Sequence, residues 1–102
     1  MYYKRAIELN PNNGQAYSNL GLSFQKLNNE AEAIWANRKA IDLANGPNTN
    51  TIQASSYYNI AKIYENKGQF KDALDNYKSA LSKKQNVAYD KGIARMKLKL
   101  GL

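Results

Sequence analysis

Two asparagines, Asn19 and Asn59, stand in matching surroundings in two copies of one sequence pattern. A carboxamide offers both a hydrogen-bond donor and an acceptor, which is the chemistry of polar recognition. Lys62 follows Asn59 closely, and Lys91 and Arg95 are one helical turn apart. Cations grouped in this way attract acidic groups. All of this is binding chemistry. The chain has no Cys and no His, so thiol chemistry, the commonest metal ligand and the commonest general base are missing. Its carboxylates are few, and each sits within an ordinary amphipathic pattern. There is no glycine-rich phosphate loop, metal-ligand cluster or nucleophile–base pair. No catalytic residue, metal site or cofactor is therefore expected.

The elements that must position these groups are helices. Between Ser55 and Leu81, Tyr57, Ile60, Ala61 and Tyr64 fall at i, i+3, i+4 and i+7, the spacing of one helix face. After a turn at Asn66-Lys67-Gly68, Phe70, Ala73, Leu74, Tyr77, Ala80 and Leu81 repeat the spacing. Large tyrosines alternate with alanines, and small residues let two helix backbones approach closely. The result is a helical hairpin that cannot bury its apolar face alone. The unit recurs. Tyr17, Leu20, Gly21, Phe24, Ala33 and Ala40 precede Tyr57, Ile60, Ala61, Tyr64, Ala73 and Ala80, every pair at the same interval. Ala6-Ile7-Glu8-Leu9 precedes Ala40-Ile41-Asp42-Leu43 at a somewhat shorter interval, and Asn10-Pro11 closes this partial copy.

These residues resemble the tetratricopeptide repeat family over about residues 1–85. The first-helix pattern reads Tyr17, Leu20-Gly21, Phe24 and again Tyr57, Ile60-Ala61, Tyr64. The second-helix pattern reads Tyr3, Ala6, Pro11, then Ala33 and Ala40, then Ala73, Tyr77 and Ala80. Asn37 stands where that pattern has an aromatic, Asn45 and Gln85 replace its closing Pro, and a short insertion separates the two full copies. The resemblance implies an all-α solenoid of helical hairpins, wound as a right-handed superhelix. It implies a non-catalytic protein-interaction module or scaffold.

The whole chain, residues 1–102, is expected to be a single domain of this kind. Residues 1–11 read as the second helix of a partial repeat, 13–45 and 52–84 as full repeats, and 86–101 as a capping helix. Within them, helices are expected over 13–27, 29–44, 52–66, 70–83 and 86–100. Asn45-Gly46-Pro47 should end one helix, with Ser or Thr capping the next, and the insertion should lengthen this loop and the helix ends beside it. The opening half-repeat leaves Tyr2, Tyr3 and Ile7 uncovered. Either the chain is a piece of a longer protein, or a partner such as a second copy covers them. Trp35, off the strictest apolar stripe, is expected to fill space between repeats, with an exposed ligand anchor as the alternative. No apolar run is long enough to span a membrane and no signal peptide is visible, so a cytoplasmic location is the expectation.

In such a superhelix the first helices line a concave groove. The groove residues are expected to be Gln15, Ser18, Asn19, Leu22, Gln25 and Lys26, then Ser55, Tyr58, Asn59, Lys62, Glu65 and Asn66. Lys91 and Arg95 lie beyond them on the last helix. In peptide-binding members of the family, an Asn at the position of Asn19 and Asn59 grips the ligand main chain. A full clamp for a terminal carboxylate cannot be assembled, because the helix that would carry its first Lys and Asn is missing. Residues 81–102 hold six basic groups and one acidic group, against nine and seven in residues 1–80. The partner is thus expected to be a protein or an extended peptide, acidic in character. The alternative is a nucleic-acid-binding fragment that uses the basic C-terminal helix. It is the less expected of the two, since Tyr89 faces the core instead of offering a stacking surface.

Overall fold

A computed structural model describes residues 13–102 of the chain. The expected first helix, with Tyr2, Tyr3 and Ile7, lies outside the described residues. Five helices follow in order: α1 (Gly14–Lys26), α2 (Glu30–Leu43), α3 (Thr49–Asn66), α4 (Phe70–Lys83) and α5 (Val87–Leu100). Helix accounts for 81% of the structure, and there is no strand among the described residues. The fold is an all-α, tetratricopeptide-like stack of helical hairpins.

Local chemistry sets the helix ends. Asn13 caps α1 by accepting from the Ala16 amide at 3.0 Å, and Asn86 caps α5 by accepting from the Ala88 amide at 2.9 Å. The turns inside the two hairpins are copies of each other. The Asn29 amide returns to the Phe24 carbonyl at 2.8 Å, and the Gln69 amide to the Tyr64 carbonyl at 2.9 Å. Each closure needs one left-handed residue, supplied by Asn28 (φ 61°) and Gly68 (φ 77°). α3 begins at Thr49, ahead of the expected start at Ile52. Its N-cap is Asn48, whose side chain makes no capping bond. The Thr49 hydroxyl donates instead to the Gly46 carbonyl at 2.7 Å, and the Thr49 amide joins it at 3.2 Å. Part of the extra length between the repeats is therefore wound into helix.

α1 packs on α2, α3 on α4, and α3 also meets both members of the preceding hairpin. α5 closes the stack against α4. One core cluster joins Ala61, Ala73, Leu74, Tyr77 and Met96, with Tyr58, Tyr64, Phe70, Ile93 and Leu100 around it. A second joins Ala54, Ala80 and Tyr89. Ala33, Ala36, Ala40, Ile60 and Ile63 are buried at the first hairpin and its junction with α3. Trp35 is 49% exposed and lays an edge against the Tyr17 ring of its own hairpin, 5.7 Å between centroids at 78°.

α4 and α5 cross closely at a glycine. A Cβ placed on Gly92 would stand 2.6 Å from the Tyr77 ring, which is fully buried and cannot retreat. Gly92→Ala gains about 1 kcal/mol of helix propensity but overpacks this crossing by roughly 1–3 kcal/mol. A net loss of stability, with α5 the first helix to lose amide protection, is the expected result of urea unfolding with hydrogen exchange.

Candidate functional site

α1 and α3 touch, whereas α2 and α4 do not pack on each other to a comparable degree. The expected groove residues differ in their exposure. Gln15 is exposed and donates to the Asn19 Oδ1 at 3.2 Å, leaving Asn19 half-buried. Leu22 is 39% exposed, and Lys26 is exposed in the last turn of α1. Ser55 and Tyr58 are half-buried on α3. The Lys62 ammonium sits 5.2 Å from the Tyr58 ring centroid, within reach of a cation–π attraction. Tyr58 itself leans on Tyr77 (5.8 Å) and on Tyr89 of α5 (5.2 Å). Lys91 is exposed on α5, with no ion pair among the described residues.

Asn59 is a correction. It was expected to face solvent, yet it is only 6% exposed and donates its amide to the Asn37 Oδ1 at 3.1 Å. Asn37 is fully buried and in turn donates to the Ala33 carbonyl at 2.8 Å. Its amide occupies the space into which a Cβ on Gly21 would project. Asn37 thus fills the aromatic position of the repeat with a smaller polar group, and Asn59 satisfies it across the hairpin junction. Ser18 is also buried, accepting from the Ser56 hydroxyl at 3.4 Å. Gln25 is half-buried and points its Oε1 inward, with no partner among the described residues.

Arg95 is a second correction. It was expected to be free to draw acidic groups, but it is committed to Glu65. Its Nε and Nη2 donate to the two carboxylate oxygens at 3.0 Å each, the forked geometry that suits guanidinium and carboxylate. The Tyr77 hydroxyl donates to the same carboxylate at 2.5 Å. The Arg95 hydrogen bond holds the Glu65 carboxyl below its usual range, against the opposing pull of burial. Burial, then the bond to Glu65, raises the Tyr77 hydroxyl. Burial likewise raises Tyr89. The Glu65 hydrogen bond raises Arg95 further. Lys26 and Lys91 are exposed and Lys62 is half-buried, while the charges of Glu65 and Arg95 offset each other.

Sequence reasoning missed Tyr77 as the hub of a polar contact and Asn37 as a partner for Asn59. One signal was present, since Asn37 and Tyr77 occupy the same position in successive repeats. Among the described residues no group of acidic side chains could hold a metal ion. None of the described helices is long and apolar enough to cross a membrane.

Two models of the tetratricopeptide repeat match the chain, one over residues 2–34 and the other over residues 54–87. The second takes in most of α3 and all of α4, the hairpin whose core is built on Ala61, Ala73 and Tyr77.

Removing the Asn59 amide leaves the Asn37 Oδ1 buried without its donor. Asn59→Ala should cost roughly 1–3 kcal/mol of folding stability, the penalty for stranding a buried polar group. Chemical denaturation checks this, and Asn19→Ala, on the half-exposed equivalent, should have a smaller effect.

Proposed function

Because the chain belongs to the tetratricopeptide repeat family, whose repeats mediate protein–protein interaction, we propose that it is a non-catalytic scaffold that holds an extended, acidic peptide along the face of α1, α3 and α5. The observation that carries this reading is the Tyr58–Lys62 pair. A half-buried aromatic ring, backed by Tyr77 and Tyr89, lies under an ammonium on a first helix. A ligand carboxylate draws Lys62 off the ring, and an apolar side chain of the ligand then covers the ring face. Leu22, at the repeat position of Lys62, offers a second apolar contact on α1. The Gln15–Asn19 pair offers amide donors and acceptors to the ligand main chain. Lys26 and Lys91 extend the positive potential to either side.

Asn59 and Arg95 are left out of the direct contacts. Their polar groups are engaged by Asn37 and Glu65, and releasing them would expose unpaired partners. In this proposal Asn59 sets the spacing of α1 and α3, and Arg95 fixes α5 beside Tyr58.

The test is titration of the isotope-labelled chain with extended peptides of graded acidity, followed by NMR. Shifts should cluster on Gln15, Asn19, Leu22, Ser55, Tyr58, Lys62 and Lys91. Lys62→Glu should weaken binding by about 1 kcal/mol, close to fivefold, chiefly through slower association. Shifts confined to α2 and α4, around Trp35, would overturn the groove reading. So would binding that ignores peptide charge.

A further inference from the structure

The loop between the two hairpins carries a chemistry independent of any ligand. The chain contains two Asn-Gly pairs, Asn13-Gly14 and Asn45-Gly46. In such a pair the glycine nitrogen is unshielded by a side chain and can attack the preceding carboxamide. The fold treats the two pairs in opposite ways. We infer that Asn45 is a site of spontaneous backbone-assisted deamidation, and that Asn13 is protected from the same reaction.

At Asn13 the carboxamide is engaged, its Oδ1 accepting from the Ala16 amide at 3.0 Å. Its carbonyl accepts from the Tyr17 amide at 3.2 Å. Gly14 is buried in the first turn of α1, where a Cβ would stand 3.0 Å from the Ala44 main chain. Ring closure would rotate the Asn13 ψ away from its value of 95° and break the cap. At Asn45 none of these restraints applies. Asn45 and Gly46 are exposed, outside any helix, and nothing lies within 4 Å of the position a Gly46 Cβ would occupy. Gly46 has φ 79°, a conformation that suits glycine. Neither the Asn45 side chain nor the Gly46 amide makes a hydrogen bond among the described residues. The Gly46 carbonyl, by contrast, is held by both the amide and the hydroxyl of Thr49. Attacking nitrogen and target carbon thus sit on adjacent residues and unhindered, while the downstream side of the loop is anchored.

The reaction needs only water. The Gly46 nitrogen bonds to the Asn45 Cγ, the Cγ–Nδ2 bond breaks, and the Gly46 amide proton leaves with Nδ2 as ammonia. The five-membered succinimide then takes up water at either carbonyl. One opening returns aspartate. The other gives isoaspartate, in which the main chain runs through the former side chain and is longer by one methylene. Both products add a negative charge to a chain of formal charge +7. The isoaspartyl product also lengthens the link between α2 and α3. That link lies close to the Gln53-to-Ile41 bond (3.2 Å) and leads into the first turn of α3. The spacing of the two hairpins, and with it the face of α1 and α3, becomes dependent on the age of the molecule.

The full chain incubated at mildly alkaline pH, digested with trypsin and mapped by mass spectrometry tests this. The peptide Ala40–Lys62 should acquire a one-dalton mass gain at Asn45, with isoaspartate present. The peptide Ala6–Lys26 should react at Asn13 at least roughly tenfold more slowly. Asn45→Gln should abolish the early-reacting species and its acidic shift on isoelectric focusing. In concentrated urea the two sites should converge, because the protection of Asn13 is structural. Equal rates at the two sites in the folded chain would overturn the inference, as would an unreactive Asn45 or a ratio that survives urea.

Discussion

The Tyr77 ring is fully buried between α3, α4 and α5, and its hydroxyl must find a partner there. An unpaired hydroxyl in such a place would cost more than a made hydrogen bond contributes. Glu65 at the end of α3 accepts from it, and Arg95 on α5 neutralises the carboxylate in a forked pair. One aromatic side chain therefore ties three helices and draws the charge of the last one inward. Gly92 has to be small because the ring lies against it. Tyr58 and Tyr89 are backed by the same core. The aromatic floor beside Lys62 exists because Tyr77 is anchored from both sides.

The other hairpin carries a different residue at this position. Asn37 occupies the repeat position of Tyr77 and lies against Gly21 of its own hairpin, whereas Tyr77 lies against Gly92 of the following helix. A shorter, polar residue there needs a donor from the next first helix, and Asn59 provides it. One junction is thus sealed by buried amides and serines, the other by a tyrosine hub with a charged rim. A fully satisfied buried polar pair is tolerated and specifies its partner. A mismatched one is penalised by the low local dielectric. The two junctions are consequently not interchangeable, although their helices and turns are near copies.

Helical period and repeat spacing made the hairpins legible in the sequence, since Tyr57, Ile60, Ala61 and Tyr64 can share a face only in a helix. Small residues at Ala33, Ala40, Ala73 and Ala80 marked the crossings correctly. Period alone does not say which neighbour covers a polar residue at the edge of that face. Asn59 and Asn19 occupy one repeat position, yet one is interior and the other half-exposed, because the decisive difference is Asn37 on another helix. Arg95 looked like free charge because its partner, Glu65, lies far back along the chain at the end of α3. The early start of α3 was hidden too, since it depends on the Thr49 bonds to Gly46 and not on apolar pattern.

The tie between α3, α4 and α5 depends on an ionised Glu65. An unfolded carboxyl of this kind titrates near 4.5, and the Arg95 bond lowers it in the folded chain. The folded state thus gives up its affinity for that proton, so the contribution to stability is present above about pH 4.5 and is lost as pH falls through the lowered value. The direct measurement is folding stability as a function of pH for the native chain and for Glu65→Gln. The native chain should be the more stable at neutral pH, and the difference should shrink as the pH drops below about 4.5. A difference that is absent at neutral pH, or that does not change with acidification, would contradict the role given to Glu65, Tyr77 and Arg95.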